Sequence, residues 1–404
     1  MGDGKTILVA AAGSTVHFSR VPSLTNHELF IGVLSGTSVD AVDAALVGFG
    51  ERAELIATHT LPYPPELRAE LLALAIPGEN EIDRLGAADV SVGRHFAQAV
   101  NGLLASAKVS RERVRAIGSH GQTVRHRPRQ VVPFTLQVGD PNVIATETGL
   151  PVVADFRRKD LALGGQGAPL VPAFHAAMFR REHGQRVVVN IGGIANATVL
   201  PAAADAPVRG YDTGPGNTLL DAWCRLHTGA PMDRDGRFAA RGTVQERLLR
   251  ELLADEFFAR PAPKSTGPEY FSLAWLQERA AGFAPADVQA TLVALTARSI
   301  AEAVRGSGAA AALECGRAQG ASLPLEVYVC GGGARNPVLM QALRERLPEC
   351  AVETTAALGV DPGWVEAMAF AWLARQRMNA QPGNCVEVTG AKSAAVLGGL
   401  WWPE

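Results

Sequence analysis

One device occurs twice in this chain. The segments FIGVLSGTSVDAVDAALVGF (30–49) and RVVVNIGGIANATVL (186–200) each join two apolar, β-branched runs across a turn of Gly with Ser, Thr or Asn. That pattern predicts a β-hairpin. Backbone can crowd a ligand only where side chains are absent, so a Gly-rich tip offers N–H groups and hydroxyls to phosphate oxygens. Two such tips predict two domain halves gripping one phosphate tail. A chain of 404 residues is too long for one ordinary core and long enough for two, so a cleft between domains is expected.

After the first hairpin, Pro64 and Pro65 open an apolar-periodic segment, Pro77 and Gly78 break it, and 82–107 resumes helical spacing, which predicts two helices. Short strands are expected at 114–119, 134–138 and 152–156, with a helix at 141–148 and a Gly-rich loop over 157–172. The second half restarts at Arg186. A strand ending at Tyr211, a GPGN turn and a helix over 217–227 follow, then helices at 244–256 and 287–304 separated by a Pro, Lys and Ser-rich loop, 261–269. A strand at 325–330 runs into GGGARNP and a helix at 338–346; a strand at 352–355, a helix at 364–375 and a closing strand at 396–401 complete the reading. Strands alternating with helices argue for an α/β class.

Apolar residues make up 47% and charged residues 19%, a globular balance, and a net charge of −2 provides no basic field for nucleic acid. The expected partner is a small molecule. Cysteines at 224, 315, 330, 350 and 385 include no Cys-x-x-Cys pair, which argues against a zinc knuckle or disulfide framework and for a reducing cytoplasm. No apolar run reaches the length of a membrane span, and residues 1–28 make a poor signal peptide. They are expected to be a loosely ordered extension, with ILVAAA as an alternative edge strand.

In the tip formed by Gly36, Thr37, Ser38, Val39, Asp40, Ala41, Val42 and Asp43, the Thr37 and Ser38 hydroxyls can serve phosphate and Asp40 can hold magnesium through water. The plain alternative is a tight hairpin that needs Gly36 for positive φ and Asp40 as a turn acceptor. Gly192, Gly193 and Asn196 form the sister cradle. A third cluster, Gly331, Gly332 and Gly333, lies between a strand and a helix, where a nucleoside could lie against the backbone. Asp212 lies at an expected strand end immediately before GPGN, where a helix N-terminus makes an anion-friendly spot; it reads as a general base or as a helix cap, and the base is preferred because GPGN supplies its own turn chemistry. Glu366 stands on an apolar helix face near that helix's first turn. His120 follows a strand end, and Arg157 and Arg158 can hold an acidic group or be loop charge. Asp233 and Asp235 lack the further oxygen ligands of a calcium loop, and Lys264 reads as a mobile-loop cation that touches phosphate or stands in solvent, the second being preferred. No Walker loop, GxGxxG after the first strand or GxSxG elbow is present.

Nine motifs in fixed order, among them GVLSGTSVDAVD, GSHGQTVRHRP, VVADFRRKDLALGGQGAPLVPAFH, NIGGIAN, GYDTGPGNTLLDAW, PKSTGPEYF, VCGGGARNP and GWVEAMAFAWLA, resemble the anhydro-N-acetylmuramic acid kinases from about residue 29 to the C-terminus. The resemblance implies a two-domain actin, hexokinase and Hsp70-like fold, a duplicated ribonuclease H-like α/β architecture with an interdomain cleft. Its expected division is an extension over 1–28, domain I over 29–150 plus about 386–404, and domain II over 151–385. It also implies ATP and Mg2+ as cofactors, hydrolysis of the 1,6-anhydro ring with phosphorylation of O6, a role in cell-wall recycling, and a homodimer. By the same resemblance Asp212 activates the water, 36–43 holds the ATP phosphates, 331–333 the adenosine side, and Glu366, His120, Arg157 and Arg158 the sugar.

Two positions depart from the family pattern: Leu34 replaces the usual Met and Ala41 the usual Gly. Leu for Met conserves volume, whereas Ala41 is expected to loosen the loop if that residue needs positive φ. Competing readings are a kinase of an ordinary sugar hydroxyl, an ATP-switched binding protein and a sugar-sensing repressor. The last two normally carry an additional domain.

Overall fold

The computed structural model describes residues 27–36, 38–203, 206–262, 264–267, 269–306 and 325–404, together with the backbone of an edge strand, β1 (Thr15–Phe18). Thr37 and most of the leader lie outside the described residues. The first hairpin is present as β2 (Glu28–Ser35) and β3 (Ala41–Phe49), paired antiparallel from Glu28 with Phe49 to Ser35 with Val42. Nearly every residue of both strands is buried, which explains why they read as continuous apolar runs rather than alternating ones. A third strand, β4 (Ala53–Pro62), extends the meander. The chain continues through α1 (Pro65–Leu74), α2 (Glu81–Ala107), β5 (Val114–Ser119), a ribbon of β6 (Gln122–Arg127) and β7 (Phe134–Val138), α3 (Pro141–Thr148), β8 (Val152–Ala154) and α4 (Phe156–Ala162). Local chemistry sets the limits of α3: the Asp140 side chain accepts from the Asn142 N–H, Pro141 occupies the first turn, and Gly149 ends the helix at φ +68°.

The second half runs α5 (Val171–Phe179), β9 (Arg186–Ile191), β10 (Ile194–Leu200), β11 (Arg209–Pro215), α6 (Asn217–Thr228), α7 (Glu246–Leu253), α8 (Glu256–Ala259), α9 (Leu273–Ala280), α10 (Pro285–Val304), β12 (Leu325–Cys330), α11 (Pro337–Arg346) and β13 (Cys350–Thr354). The last stretch holds α12 (Val365–Met378), α13 (Val386–Thr389) and β14 (Gly399–Trp401).

Two compact units result, Met1–Phe174 with Glu366–Glu404, and His175–Val365. The first sheet has the order β1-β4-β3-β2-β5-β8-β14, the second β11-β10-β9-β12-β13. Within each, three antiparallel strands in meander are followed by two strands added parallel on the far side of the first. The shared order third-second-first-fourth-fifth makes the fold a duplicated ribonuclease H-like α/β architecture. In the first unit Val92, Phe96, Val100 and Leu103 of α2 share a core with Leu29, Ile31 and Val33; in the second Val288, Leu292, Leu295 and Ile300 of α10 share one with Val187, Val189 and Val199. Each such fully buried side chain contributes roughly 1.5–3 kcal/mol of transfer free energy.

Several expectations change. An edge strand forms from Thr15–Phe18 and pairs with β4, which the sequence reading missed; the alternative edge strand at ILVAAA lies outside the described residues. Residues 157–162 are helical rather than the start of a loop. The two compact units divide after Phe174 and before Glu366: β8 pairs with β5, and α12 packs on the first sheet. Glycine permits that approach: a Cβ on Gly32 would come 1.8 Å from the Ala367 carbonyl oxygen, and one on Gly118 2.0 Å from that of Phe370.

Candidate active site

In the second unit the pleat assembles a polar row. Asn196 on β10 is the direct partner of Asn190 on β9 and of Asp212 on β11, so the three side chains share one face of the sheet. A register shift between Ala195 and Asn196 marks a bulge at this point. The loop containing Lys264 clamps Asp212 from outside: the Asp212 N–H donates to the Lys264 carbonyl at 3.0 Å, and the Thr266 N–H donates to Asp212 Oδ2 at 2.9 Å.

Asp212 lies inside β11 rather than at its end. Strand β11 continues through Pro215, and the N–H groups of Gly216, Asn217 and Thr218 at the head of α6 donate to the carbonyls of Gly193, Gly192 and Gly193 at 2.9, 2.8 and 3.1 Å. The hairpin tip, not Asp212, therefore caps α6 and occupies its N-terminal donors. This removes the helix-cap reading of Asp212 and the expected anion spot at GPGN. A Cβ on Gly216 would come 2.4 Å from the Gly192 carbonyl oxygen, so the close approach requires glycine there.

Gly331 adopts φ +82° and its N–H donates to the Pro362 carbonyl at 2.8 Å. An added Cβ on Gly331 would meet Asn190 Oδ1 at 2.3 Å, and one on Gly333 the Ile191 side chain at 2.3 Å. Gly332 is the open member: only Asn217 Nδ2 comes within 4 Å, at 3.5 Å. Asn336 then caps α11 by accepting from the Val338 and Leu339 N–H groups. A groove of about 700 Å³ starts at this first turn, lined by Ala240, Val244, Val293, Ala294, Val338 and Ala342.

At the first-unit tip Gly36 carries no positive φ and has nothing within 4 Å of an added Cβ. The turn is made instead by Val39 at φ +54°, whose N–H donates to the Gly36 carbonyl at 3.2 Å. Ala41 already belongs to β3 with ordinary φ, so the expected loosening has no basis. Arg68 donates to Asp40 Oδ1 through Nε and Nη2 at 3.3 and 3.1 Å, and to the Ser38 carbonyl at 3.2 Å. Gly36, Ser38 and Asp40 are exposed, whereas Val42 is buried and Asp43 accepts from Thr60 Oγ1 across the sheet at 2.7 Å. Among the described residues no group of three or more His, Cys, Asp or Glu could hold a metal ion.

The first unit also brings His120, Arg157 and Glu366 into one cluster. Arg157 donates from Nε to His120 Nε2 at 3.1 Å and from Nη1 to the Gly167 carbonyl at 2.8 Å. Nε2 is thus the accepting nitrogen. Burial, then the charge of Arg157, holds the imidazole well below its ordinary pKa and so neutral. Burial pushes Arg157 down to about 10, opposed by the charges of Glu366 and Asp160. The His120 ring packs on Phe370 at 4.6 Å, one helical turn from Glu366, which is exposed. Arg158 pairs with Asp155 instead, at 3.6 Å.

Sequence reasoning missed two members. Asp160 is fully buried and accepts from the Gly167 N–H, Asn384 Nδ2 and Thr389 Oγ1 at 2.7, 2.9 and 2.8 Å, tying the Arg157 turn to the C-terminal segment. His126 is lowered to about 4 by burial, then by Arg157 and Arg127, and its Nδ1 lies 3.0 Å from Thr135 Oγ1. The alternation of TVRHR was the available signal for His126; Asp160 had none, because its partners are remote. Lys264 is a correction: its Nζ donates to the Phe257 and Phe258 carbonyls, both at 3.1 Å, rather than standing in solvent.

A family model described as anhydro-N-acetylmuramic acid kinase matches residues 28–403. A protein of that name from Coxiella burnetii (strain RSA 493 / Nine Mile phase I) is 50% identical over 379 residues, covering 93% of this chain and 98% of its own length. Another from Shewanella sp. (strain MR-7) is 52% identical over 378 residues with the same coverages. Among solved structures, the activator of 2-hydroxyisocaproyl-CoA dehydratase from Clostridium difficile with bound ADPNP aligns at TM-score 0.42 and 12% identity, over 87% of this chain and 96% of that one. A ROK family glucokinase from Streptomyces griseus with glucose and AMPPNP aligns at TM-score 0.37 and 14% identity, over 86% and 99%.

Proposed function

The chain belongs to the anhydro-N-acetylmuramic acid kinase family, and on that premise we propose that Asp212 is the base that activates water for ring opening while the tip at 36–43 holds the ATP phosphates. The protein is an ATP-dependent phosphotransferase. It hydrolyses the 1,6-anhydro ring of anhydro-N-acetylmuramic acid and phosphorylates O6, giving N-acetylmuramic acid 6-phosphate and ADP in peptidoglycan recycling.

The observation that carries the assignment of Asp212 is its place in the polar row beside Asn196, held by the Thr266 N–H rather than used as a helix cap. Asp212 takes a proton from water as the oxygen attacks the anomeric carbon, and the bond from that carbon to O6 breaks. O6 then attacks the γ-phosphorus and ADP leaves. Magnesium, when bound, neutralises charge on the phosphates. Asp40, exposed at the tip and bonded to Arg68 through Oδ1, would supply one of the one or two carboxylates that a magnesium–phosphate complex takes from a protein. Gly36 and Ser38 offer backbone and hydroxyl there; Gly192, Gly193 and Asn196 keep the nucleotide-binding reading that their Gly-rich hairpin tip carries.

The open face of Gly332 and the apolar groove along α11 suit adenosine, with Gly331 and Gly333 setting the close packing beneath. The neutral His120, the fork of Arg157 and the carboxylate of Glu366 suit the sugar hydroxyls and its acidic side arm. Arg158, paired with Asp155, takes a lesser part. A homodimer is the assembly carried by the resemblance, and a cytoplasmic location the one carried by the cysteine usage; among the described residues no helix is long and apolar enough to cross a membrane.

Purified protein with ATP and magnesium should convert anhydro-N-acetylmuramic acid and neither N-acetylmuramic acid nor glucose. Asp212→Asn should lose ring opening and phosphoryl transfer together. Equal activity on unbridged sugars would overturn the role of the water.

A further inference from the structure

Lys264 has two anchors and reaches Asp212 through its own backbone. Its ammonium donates to the Phe257 and Phe258 carbonyls and lies 4.6 Å from the centre of the Phe257 ring. Those carbonyls belong to α8, a four-residue helix; that of Phe257 also accepts from the Arg260 N–H at 3.2 Å, and a cation suits the C-terminal end of a helix. Phe257 is fully buried and meets Phe258, Tyr270 and Phe271 at ring distances of 5.6, 6.4 and 5.3 Å, so the anchor is a packed aromatic block. From that block the loop returns to β11. The Lys264 carbonyl accepts from the Asp212 N–H, and two residues later the Thr266 N–H donates to the Asp212 carboxylate.

We propose that Lys264 is a positioning residue: by fixing loop 264–267 to the Phe257 block, it holds the Thr266 N–H against Asp212 and so sets the orientation from which the carboxylate takes a proton. This rests on the reading of Asp212 as the base. A lysine that touched phosphate would act on ATP affinity, whereas one that fixes the carboxylate's donor acts on the proton-taking step. A hydrogen bond donated to a carboxylate favours its charged form, so loosening the loop raises the pH at which that form is reached.

The test compares wild type with Lys264→Met and Lys264→Gln, whose amide still donates to a carbonyl, using anhydro-N-acetylmuramic acid, ATP and magnesium. For K264M, kcat should fall 10- to 100-fold, KM for ATP should stay within twofold, and the acid limb of the kcat/KM profile should move to higher pH. K264Q should lie between K264M and wild type on both readouts. A wild-type kcat and acid limb in K264M, or a raised KM for ATP with an unmoved limb, overturns the proposal. If K264M does not fold by circular dichroism, K264Q is read by the same measures, and an unmoved limb overturns it. Asp212→Asn separates the two readings: retained turnover there removes the base itself, while an inactive D212N beside a wild-type K264M removes only the role of Lys264.

Discussion

Asn196 and Asp212 are direct cross-strand partners on β10 and β11, so an amide and a carboxylate stand side by side on one face of the second sheet. An amide is a neutral neighbour that donates to a carboxylate without competing for its proton. Asn196→Asp places a like charge directly opposite, which disfavours ionisation of the pair. The acid limb of the kcat/KM profile should then rise by about one pH unit. Asn196→Ala, which adds no charge, should move it less; steady-state rates between pH 5 and 9 decide.

The Arg157 fork serves His120 and the Gly167 carbonyl at once. Lysine keeps the charge but not two fixed donors on one plane. Arg157→Lys should raise KM for the sugar about tenfold, equivalent to about 1.4 kcal/mol of binding, and leave KM for ATP unchanged. A change in ATP affinity alone would separate Arg157 from the sugar.

Gly216 has no room for a side chain, because the Gly192 carbonyl that caps α6 lies where a Cβ would go. Gly216→Ala should cost about 1–3 kcal/mol by overpacking. Gly86 in α2, with nothing within 4 Å of an added Cβ, should gain up to about 1 kcal/mol as alanine. Urea midpoints of the two variants should therefore move in opposite directions.

Buried neutral histidines make the fold acid-sensitive. Burial lowers His175 to about 3 and His126 to about 4, and also depresses His59, His95 and His120. Their folded values lie below the unfolded value, so the unfolded chain binds protons first as pH falls. Stability from these groups is complete above pH 6.5 and is lost downward through the folded values, with a limiting slope of about 1.4 kcal/mol per pH unit for each histidine. The melting temperature should drop between pH 7 and 5, and His175→Gln should make the drop shallower.

Filling the groove along α11 tests the adenosine assignment. Ala342→Trp should raise KM for ATP about tenfold and leave KM for the sugar within twofold, with a melting temperature near wild type. An unchanged ATP affinity would place the nucleoside elsewhere.

Much of the architecture was legible in the chain because its signals are local. The limits of β5, β7, α3 and β12 coincide with the expected ones, since capping residues, prolines and apolar runs act within a few residues of the elements they define. Strand β4 was missed because AELIATHTLP mixes polar and apolar residues without a clear period, its pairing on both edges with β1 and β3 being a property of the sheet. Gly36 was credited with a positive φ that Val39 carries, because a glycine in a turn does not by itself say which residue turns.

By itself the sequence determined two Gly-tipped hairpins, an α/β class and the motif order that marks the family, all matters of neighbours along the chain. Only tertiary structure decided which groups hold those motifs in place: the carbonyls of Gly192 and Gly193 cap α6, Asp160 binds Asn384 and Thr389, and the loop around Lys264 binds Asp212 from 54 residues away in the case of Thr266. Such partners share no local pattern. A buried carboxylate or helix end takes whatever donor or acceptor the packed chain brings to it, because leaving it unpaired costs about 1–3 kcal/mol.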